Sequence, residues 1–512
     1  MVSRHLTKSR YMAGLQCLRR LWLQVHEPHD YEAPPPGSPL DFGQEIGQKA
    51  HLLFPGGILI DEEPWQHEQA VERTAALMLE PTVPAIFEAA FVHDNVRVRV
   101  DVLERRADGW GLLEVKSSSR VKDHYLNDIA LQAHVLTGAG VPLSTVELLH
   151  INTSYTRGDG EIDWPAFFAR VNVAEKVTRR CADLPGRLPG LHTCLEQDTA
   201  PHVEPGNHCG DPYECEFWDR CTADKPTDWI AHLPYLTPPR ARALDALGVT
   251  AISAIPRDFP LTWKQEIIRD AIASGRPYVA ADLPSLLHRF GPPACYLDFE
   301  AMMPPIPLYA GTRPYQALPF QWSLHMMTAE GALTHKEFLA PADGDPRRPF
   351  AETLIAALAG SDTPIVVYSS YEQIRLKELA GQFPDLGPSL TAIIERLVDL
   401  LPVIRGAVYF PAFGFSNSIK SVAPALSPGF GYDDLEGVAD GTSAAGIFLE
   451  LASGKIADTT DVTRFRSALV AYCTRDTMAM VEVHRALMTL STETETAART
   501  NTSGSDAAHD LY

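Results

Sequence analysis

No stretch of the 512 residues approaches the roughly eighteen consecutive apolar residues that a membrane-crossing helix requires. The amino terminus is basic with apolar residues between, but Arg19 and Arg20 interrupt any signal-like core. The expectation is a cytoplasmic protein with no membrane partner. Positive charge is also short: the formal net charge is −21. That balance excludes a surface that wraps nucleic acid without regard to sequence, although it leaves room for a local basic track. Internal repeats are absent, which excludes a solenoid or propeller. Cysteine is sparse, at eight residues. In a cytoplasmic chain of this size those eight are not a disulfide framework.

What is present is globular: 45% hydrophobic and 21% charged residues, in a chain too long for one ordinary core. Residues 6–24 predict one helix with an apolar stripe, and Pro34-Pro35-Pro36 a connector. Between residues 1 and 20 lie Arg4, Lys8, Arg10, Arg19 and Arg20 with no acid. That run reads equally well as a nucleic-acid track or a solvated helix face. Val96, Val98 and Val100 alternate with polar residues into a strand carrying Asp101, and Ala107-Asp108-Gly109 is turn chemistry. Trp110–Val115 is a second strand, on which Glu114 and Lys116 share a face. Two carboxylates and an ammonium at a hairpin end suit a divalent ion with a water poised to attack a phosphate. Upstream, an amphipathic helix carries His51, a further metal ligand. Downstream, a helix carries Gln132 and is closed by Gly138 and Gly140. A strand at Thr145–Ile151 and a helix from Trp164 complete this half.

The order of helix with His51, strands with Asp101 and Glu114-Val115-Lys116, then helix with Gln132 resembles the RecB-like branch of the PD-(D/E)xK nucleases, including the CRISPR-associated and AddB-type members. The resemblance covers residues 1–222. It implies an α/β, restriction-endonuclease-like domain in which His51, Asp101 and Glu114 bind Mg²⁺ or Mn²⁺ while Lys116 and Gln132 assist. Four residues after the glutamine, where that family often has tyrosine, stands Leu136.

Cys209, Cys215 and Cys221 recur every six residues in a loop rich in glycine, proline and aromatics, which is the behaviour of metal ligands. A four-coordinate site needs one more; Cys17 is the best fourth and Cys194 the alternative. One cysteine before the nuclease core and three after it is the layout that the resemblance associates with a [4Fe–4S] cluster, with zinc the alternative ion. Here the first gap in the trio is five residues, where those families usually have two. Cys181, Cys295 and Cys473 read as ordinary buried cysteines.

Residues 223–290 predict a helical connector, within which ALDALGVTAISAIP has a helix, glycine turn, helix rhythm. Beyond it, Cys295–Glu300 is an apolar strand ending in Asp298-x-Glu300. PFQWSLHMM is a further strand, and Ile365–Tyr368 is a buried strand leading into a helix with Glu372. Tyr472 and Asp476 lie one turn apart on a late helix. This ordered set resembles the DnaQ-like (DEDD) exonucleases with an RNase H-like fold. It implies that Asp298, Glu300, Glu372 and Asp476 hold two metal ions and that Tyr472 orients water. Glu372 stands where that family usually has aspartate, and Asp399 is the alternative fourth carboxylate. The domain expected is residues 291–490, followed by a disordered tail, 491–512. Together the halves resemble a bacterial fusion of two metal-dependent nucleases acting on nucleic acid, DNA before RNA, in repair or defence. The competing expectation is a nucleic-acid-binding or scaffold protein with inert sites.

Overall fold

A computed structural model describes residues 5–27, 39–435, 437–438 and 440–506. The Pro34-Pro35-Pro36 connector and Arg4 lie outside them. The fold is mixed α/β. The chain divides into two compact units: unit 1 is residues 1–224 with 304–316, and unit 2 is residues 225–303 with 317–512. Among the described residues no helix is long and apolar enough to cross a membrane.

Unit 1 is built on one seven-stranded sheet. Its strands are β1 (Leu6–Thr7), β2 (Ile58–Leu59), β3 (Ala85–His93), β4 (Val96–Arg106), β5 (Gly109–Lys116), β6 (Leu143–Ile151) and β7 (Phe168–Asn172). The spatial order is β2-β3-β4-β5-β6-β7, with β1 also paired to β4. Helices α1 (Lys8–Gln16), α2 (Leu18–His26), α3 (Pro39–Ala50), α4 (His67–Leu79) and α5 (Asp123–Gly138) accompany it. Strands β4 and β5 form the hairpin expected around Ala107-Asp108, pairing from Arg106↔Gly109 to Val102↔Leu113.

The alternation on β3 and β4 slips once. On β4, Val96, Val98 and Val100 face the main core, and so does Leu103; Val102 belongs to the opposite cluster. On β3 the same face is taken by Ile86 and then by Ala89 and Phe91, while Phe87 faces the other way. The register runs unshifted from Phe87↔Val102 to Ala89↔Val100, so the two slips fall at Glu88 and Asp101, directly across from each other. Glu88 has φ 55, the left-handed region that a glutamate seldom occupies. An irregularity of this kind re-aims side chains that a regular strand would send elsewhere.

Three expectations need correction here. The single amino-terminal helix is two, because Cys17 between them is extended, with φ −161 and ψ 124. The helix from Trp164 lasts only to Phe167, since Phe168 enters β7 and pairs with Ile151. And the tail expected to be disordered from Ser491 continues the final helix, Thr459–Asp506. Extending a helix already nucleated by a packed segment fixes one residue per added hydrogen bond, so weak formers can follow it.

Unit 2 holds a short ribbon of β8 (Tyr278–Val279) and β14 (Val408–Tyr409) and a five-stranded sheet. That sheet comprises β9 (Ala294–Met302), β10 (Leu318–Met327), β11 (Leu333–Leu339), β12 (Ile365–Val367) and β13 (Leu397–Asp399), in the order β11-β10-β9-β12-β13. Strands β9, β10 and β11 are antiparallel neighbours, while β12 and β13 run parallel to β9. The helices of residues 225–290 are part of this unit's core: Leu244, Ile252, Ile268 and Leu287 pack in one cluster with Tyr296 and Val481.

Residues 304–316, between β9 and β10, belong to unit 1. Ile306 and Tyr315 pack on the cluster of Ile46, Leu149 and Phe167. The Arg157 guanidinium donates to the Pro307 and Leu308 carbonyls, both at 2.8 Å, and the Tyr315 hydroxyl to the Ser117 carbonyl at 2.8 Å. The Gly311 N–H donates to the Arg157 carbonyl at 2.8 Å. Arg157→Ala is expected to destabilise unit 1 by ~1–3 kcal/mol, two hydrogen bonds from a charged donor being lost. A lower urea midpoint and faster hydrogen exchange at Gly311 would register this; unchanged exchange at Gly311 would show that Arg157 does not hold the segment.

Candidate active sites and cysteine centre

At the slipped end of the β4–β5 ladder, the Val115 N–H donates to Asp101 Oδ2 at 2.7 Å. The strand beside it carries Glu114 inward toward α5. Glu114 is fully buried, and each of its oxygens is satisfied by a side chain. Lys116 donates to Oε1 at 2.6 Å and Gln132 to Oε2 at 2.7 Å. Gln132 also reaches Asp128 Oδ1 at 2.9 Å, one turn back on α5, and Lys116 reaches Asp128 Oδ2 at 2.9 Å. Asp101, Glu114, Lys116 and Gln132 are therefore gathered as expected.

The structure adds three residues that the sequence reading missed. Asp128 lies four residues before Gln132, a spacing that puts both on one helix face and could have signalled it. Lys8, the first residue of α1, sets its ammonium 2.9 Å from Glu114 Oε1, 3.6 Å from Asp101 and 3.9 Å from Asp128. No local pattern links Lys8 to strands ninety residues away. Glu88 faces Asp101 across the slip, and burial raises its pKa.

Within the basic run, Lys8 is engaged with these carboxylates and Arg20 with Glu216 at 2.8 Å and the Gln16 side chain.

Burial alone would push Glu114 up, but Lys116 and Lys8 overrule it and hold the carboxyl well below its ordinary range. Asp101, with its lysines farther off, is pushed up to about 7 by burial and by Glu114. Both ammonium groups are raised: burial opposes their charge, and the carboxylates prevail.

His51 does not join this group. Helix α3 ends at Ala50, His51 opens a single 3₁₀ turn, and its ring stacks on Phe87 with centroids 3.9 Å apart. Among the described residues no hydrogen bond or ion pair joins it to the carboxylates. Its half-buried position lowers its pKa and favours the neutral imidazole.

The four expected cysteines, Cys17, Cys209, Cys215 and Cys221, line one small cavity with Arg19, Arg20 and His208. The extended backbone at Cys17 faces its side chain into that space between α1 and α2. Cys194 does not line that cavity; it lies close to Cys17 and donates to the Leu18 carbonyl at 3.3 Å. Gln16 ties α1 to the cysteine loop through the His208 and Tyr213 carbonyls, at 2.8 and 2.6 Å. No three of these sulfurs lie within 4.8 Å of one another.

In unit 2, Asp298 and Glu300 on β9 meet Asp476 on the last helix. Burial, then the neighbouring acids, raises the pKa of Asp298 and Glu300 well above the carboxylate range. Glu372, in the first turn of helix Tyr371–Gln382, is raised by burial to about 8, and its Oε2 is buried without a hydrogen-bond partner. Asp399, the alternative, is half-buried and spends Oδ1 on the Leu401 N–H at 2.9 Å. Asp476 accepts from the Tyr432 hydroxyl at 2.7 Å, and the Tyr472 hydroxyl also bonds it. Lys420 lies over the Tyr472 ring at 4.7 Å.

Residues 295–418 match the family model described as a domain of unknown function, DUF2779. No curated protein matches the chain. The matched span includes Asp298, Glu300 and Glu372 but stops before Lys420 and Asp476.

Cys473 is a correction. It is buried, as expected, but its thiol is 3.6 Å from Asp298 Oδ2, and its sulfur groups with ligand oxygens of Asp298 and Glu300 within 4.8 Å. Burial and the acids raise its pKa, keeping it a thiol. Tyr432 and Lys420 were likewise missed; neither stands at a recognisable spacing from the other site residues.

Glu372 generates a pH prediction. Its carboxyl is raised from 4.5 to about 8 in the folded protein, so the fold holds a proton that the unfolded chain has released. Its contribution is fully present below 4.5 and is lost as pH rises through 8. In chelator, the melting temperature of unit 2 is expected to fall across that window, at ~2–4 °C per kcal/mol for a unit of this size. Glu372→Gln should flatten the slope. A melting temperature that climbs over the same window would contradict the assignment.

Proposed function

We propose that this chain is a metal-dependent nuclease with two hydrolytic sites, acting on nucleic acid and on DNA before RNA. Unit 1 is read as a PD-(D/E)xK, restriction-endonuclease-like domain and unit 2 as a DnaQ-like domain with an RNase H-like fold. One observation carries the reading: each buried carboxylate group comes with proton- and phosphate-handling partners for which a packing core has no use. In unit 1 these are Lys116 and Gln132 on Glu114. In unit 2 they are Tyr472 and Tyr432 on Asp476.

The donor sets fit hard divalent cations. All the ligands proposed are carboxylate oxygens, the set that suits Mg²⁺ or Mn²⁺. The orphaned Glu372 Oε2 and the mutual repulsion of Asp298, Glu300 and Asp476 are what added positive charge would relieve. Asp101 and Glu114 would hold the ion in unit 1, with Asp128 beside them and His51 outside. Asp298, Glu300, Glu372 and Asp476 would do so in unit 2. When bound, such ions lower the pKa of water and offset charge on the phosphate. Lys116, held charged, presents an ammonium for a phosphate oxygen or the entering water. Gln132 fixes the plane of the Glu114 carboxylate by bonding it and Asp128 together. The Tyr472 phenol, kept protonated by burial and then by Asp476, is a hydrogen-bond donor at the edge of its site.

Asp101→Ala and Asp298→Ala are each expected to remove one activity on end-labelled nucleic acid, and only the double variant should be inert. Lys116→Ala should slow its site by about 10²-fold while leaving Mn²⁺ affinity in place. If Asp298→Ala alters no product on any DNA or RNA substrate, unit 2 is a binding module.

The cysteine centre is proposed to hold a [4Fe–4S] cluster. Four thiolates on one zinc, with Zn–S ~2.3 Å, stand ~3.8 Å apart, closer than the spacing here. Protein purified without oxygen should be brown, with absorbance that bleaches on reduction. Cys17→Ser should lose iron as fully as Cys215→Ser, and Cys194→Ser should keep it. Iron retained in full by Cys17→Ser would remove Cys17 from the ligand set.

A further inference from the structure

We infer that Lys8 is a working member of the unit 1 site: its ammonium is the built-in counter-ion of the carboxylate pocket, and it passes to a substrate phosphate when a divalent cation takes its place. This rests on the metal-dependent reading above and extends it to a residue that no motif of that reading contains.

Four observations converge. One ammonium reaches three carboxylates, at 2.9 Å from Glu114, 3.6 Å from Asp101 and 3.9 Å from Asp128. That is the position any second cation would also seek, so Lys8 and a metal compete for the same oxygens. Second, Lys8 is redundant for satisfying Glu114, whose oxygens are already met by Lys116 and Gln132. Removing it would leave Glu114 paired, whereas Asp101, whose Oδ2 accepts from the Val115 N–H, would lose its ion pair and stand open to a metal. Third, its side chain is 30% exposed, against 1% for Glu114 and 7% for Asp128. It stands on the solvent side of the pocket, where metal and substrate arrive.

The fourth observation is its mounting. Thr7 caps α1, its hydroxyl accepting from the Arg10 N–H, and Gln16 fastens the other end to the cysteine loop. The backbone of Lys8 is therefore fixed, while four methylenes let the ammonium turn. Charge supplies the direction. Taken as ionised, the three carboxylates that Lys8 reaches and the two ammonium groups sum to −1; a divalent ion makes that +1, matched to one phosphodiester. Without Lys8 the loaded site would be neutral.

The test uses the full chain in an Asp298→Ala background, so that Mn²⁺ binding by calorimetry and single-turnover cleavage at saturating Mn²⁺ report on unit 1. Lys8→Met is expected to bind Mn²⁺ about fivefold more tightly, the scale of one unit charge a few ångström away in a wet site. It should also cleave about tenfold more slowly. Lys8→Arg keeps the charge and should keep wild-type affinity. A merely structural lysine would move affinity and rate in the same direction, so Mn²⁺ affinity that is unchanged or weaker in Lys8→Met overturns the inference. So does a Lys8→Arg protein that binds as tightly as Lys8→Met, a comparison that stands even if Lys8→Met fails to fold and affinity is read on Lys8→Gln instead. Asp101→Ala separates the two levels. If the parent binds Mn²⁺, Asp101→Ala does not, and Lys8→Met matches the parent, only the role of Lys8 falls. If the parent binds no Mn²⁺ in unit 1, the metal reading falls with it.

Discussion

A carboxylate taken out of water must be met by positive charge or by donors, or it takes up a proton. Both units are arranged around that constraint, and they answer it differently. In unit 1 the acids are met by protein cations: Glu114 is surrounded by Lys8, Lys116 and Gln132 and stays ionised. In unit 2 Asp298, Glu300, Glu372 and Asp476 share little more than hydroxyl donors and Lys420, and their pKa values rise together. In the first site protein cations hold Glu114 ionised while Asp101 and Asp128 are raised; the second has the larger deficit of positive charge. A divalent cation would therefore have to displace something in unit 1 and only protons in unit 2.

The slip at Glu88 and Asp101 gives the first site its shape. A regular β4 would continue the alternation of Val96, Val98 and Val100 through Val102, and Asp101 would point away from the helix that holds Gln132. With the ladder broken, Asp101 caps the Val115 N–H, and the backbone group that lost its strand partner is still satisfied. The unfavourable φ of Glu88 persists because regular pairing on both sides fixes it.

What was legible in the sequence follows from range. The β4–β5 hairpin, Gln132 on its helix, and Tyr472 with Asp476 one turn apart are all set by spacings of a few residues, where period and turn chemistry act. Ligand counting asked for a fourth cysteine and left Cys17 and Cys194 open; the resemblance favoured Cys17, which lines one cavity with the trio. Lys8 could not be found this way: it reaches Glu114 across 106 residues through the fold alone. Asp128 and Cys473 sat at helical spacing from residues already singled out, and their signal was present but unused. His51 reads as a ligand from its place before a carboxylate motif, whereas in the fold its ring stacks on Phe87. The break at Cys17 has no glycine or proline to announce it, and the slip at Glu88 has no sequence mark at all.

The excursion of residues 304–316 bears on how the protein is made. Unit 1 takes Ile306 and Tyr315 into its own core, yet these residues are synthesised after Asp298 and Glu300 of unit 2. Chain growth from the amino terminus cannot complete unit 1 when residue 224 emerges. It must wait, with the cluster around Ile46 and Phe167 partly uncovered, for another ninety or so residues, roughly five to twenty seconds at ribosomal rates. The same interleaving means that no single break in the chain separates a finished first unit from a finished second one.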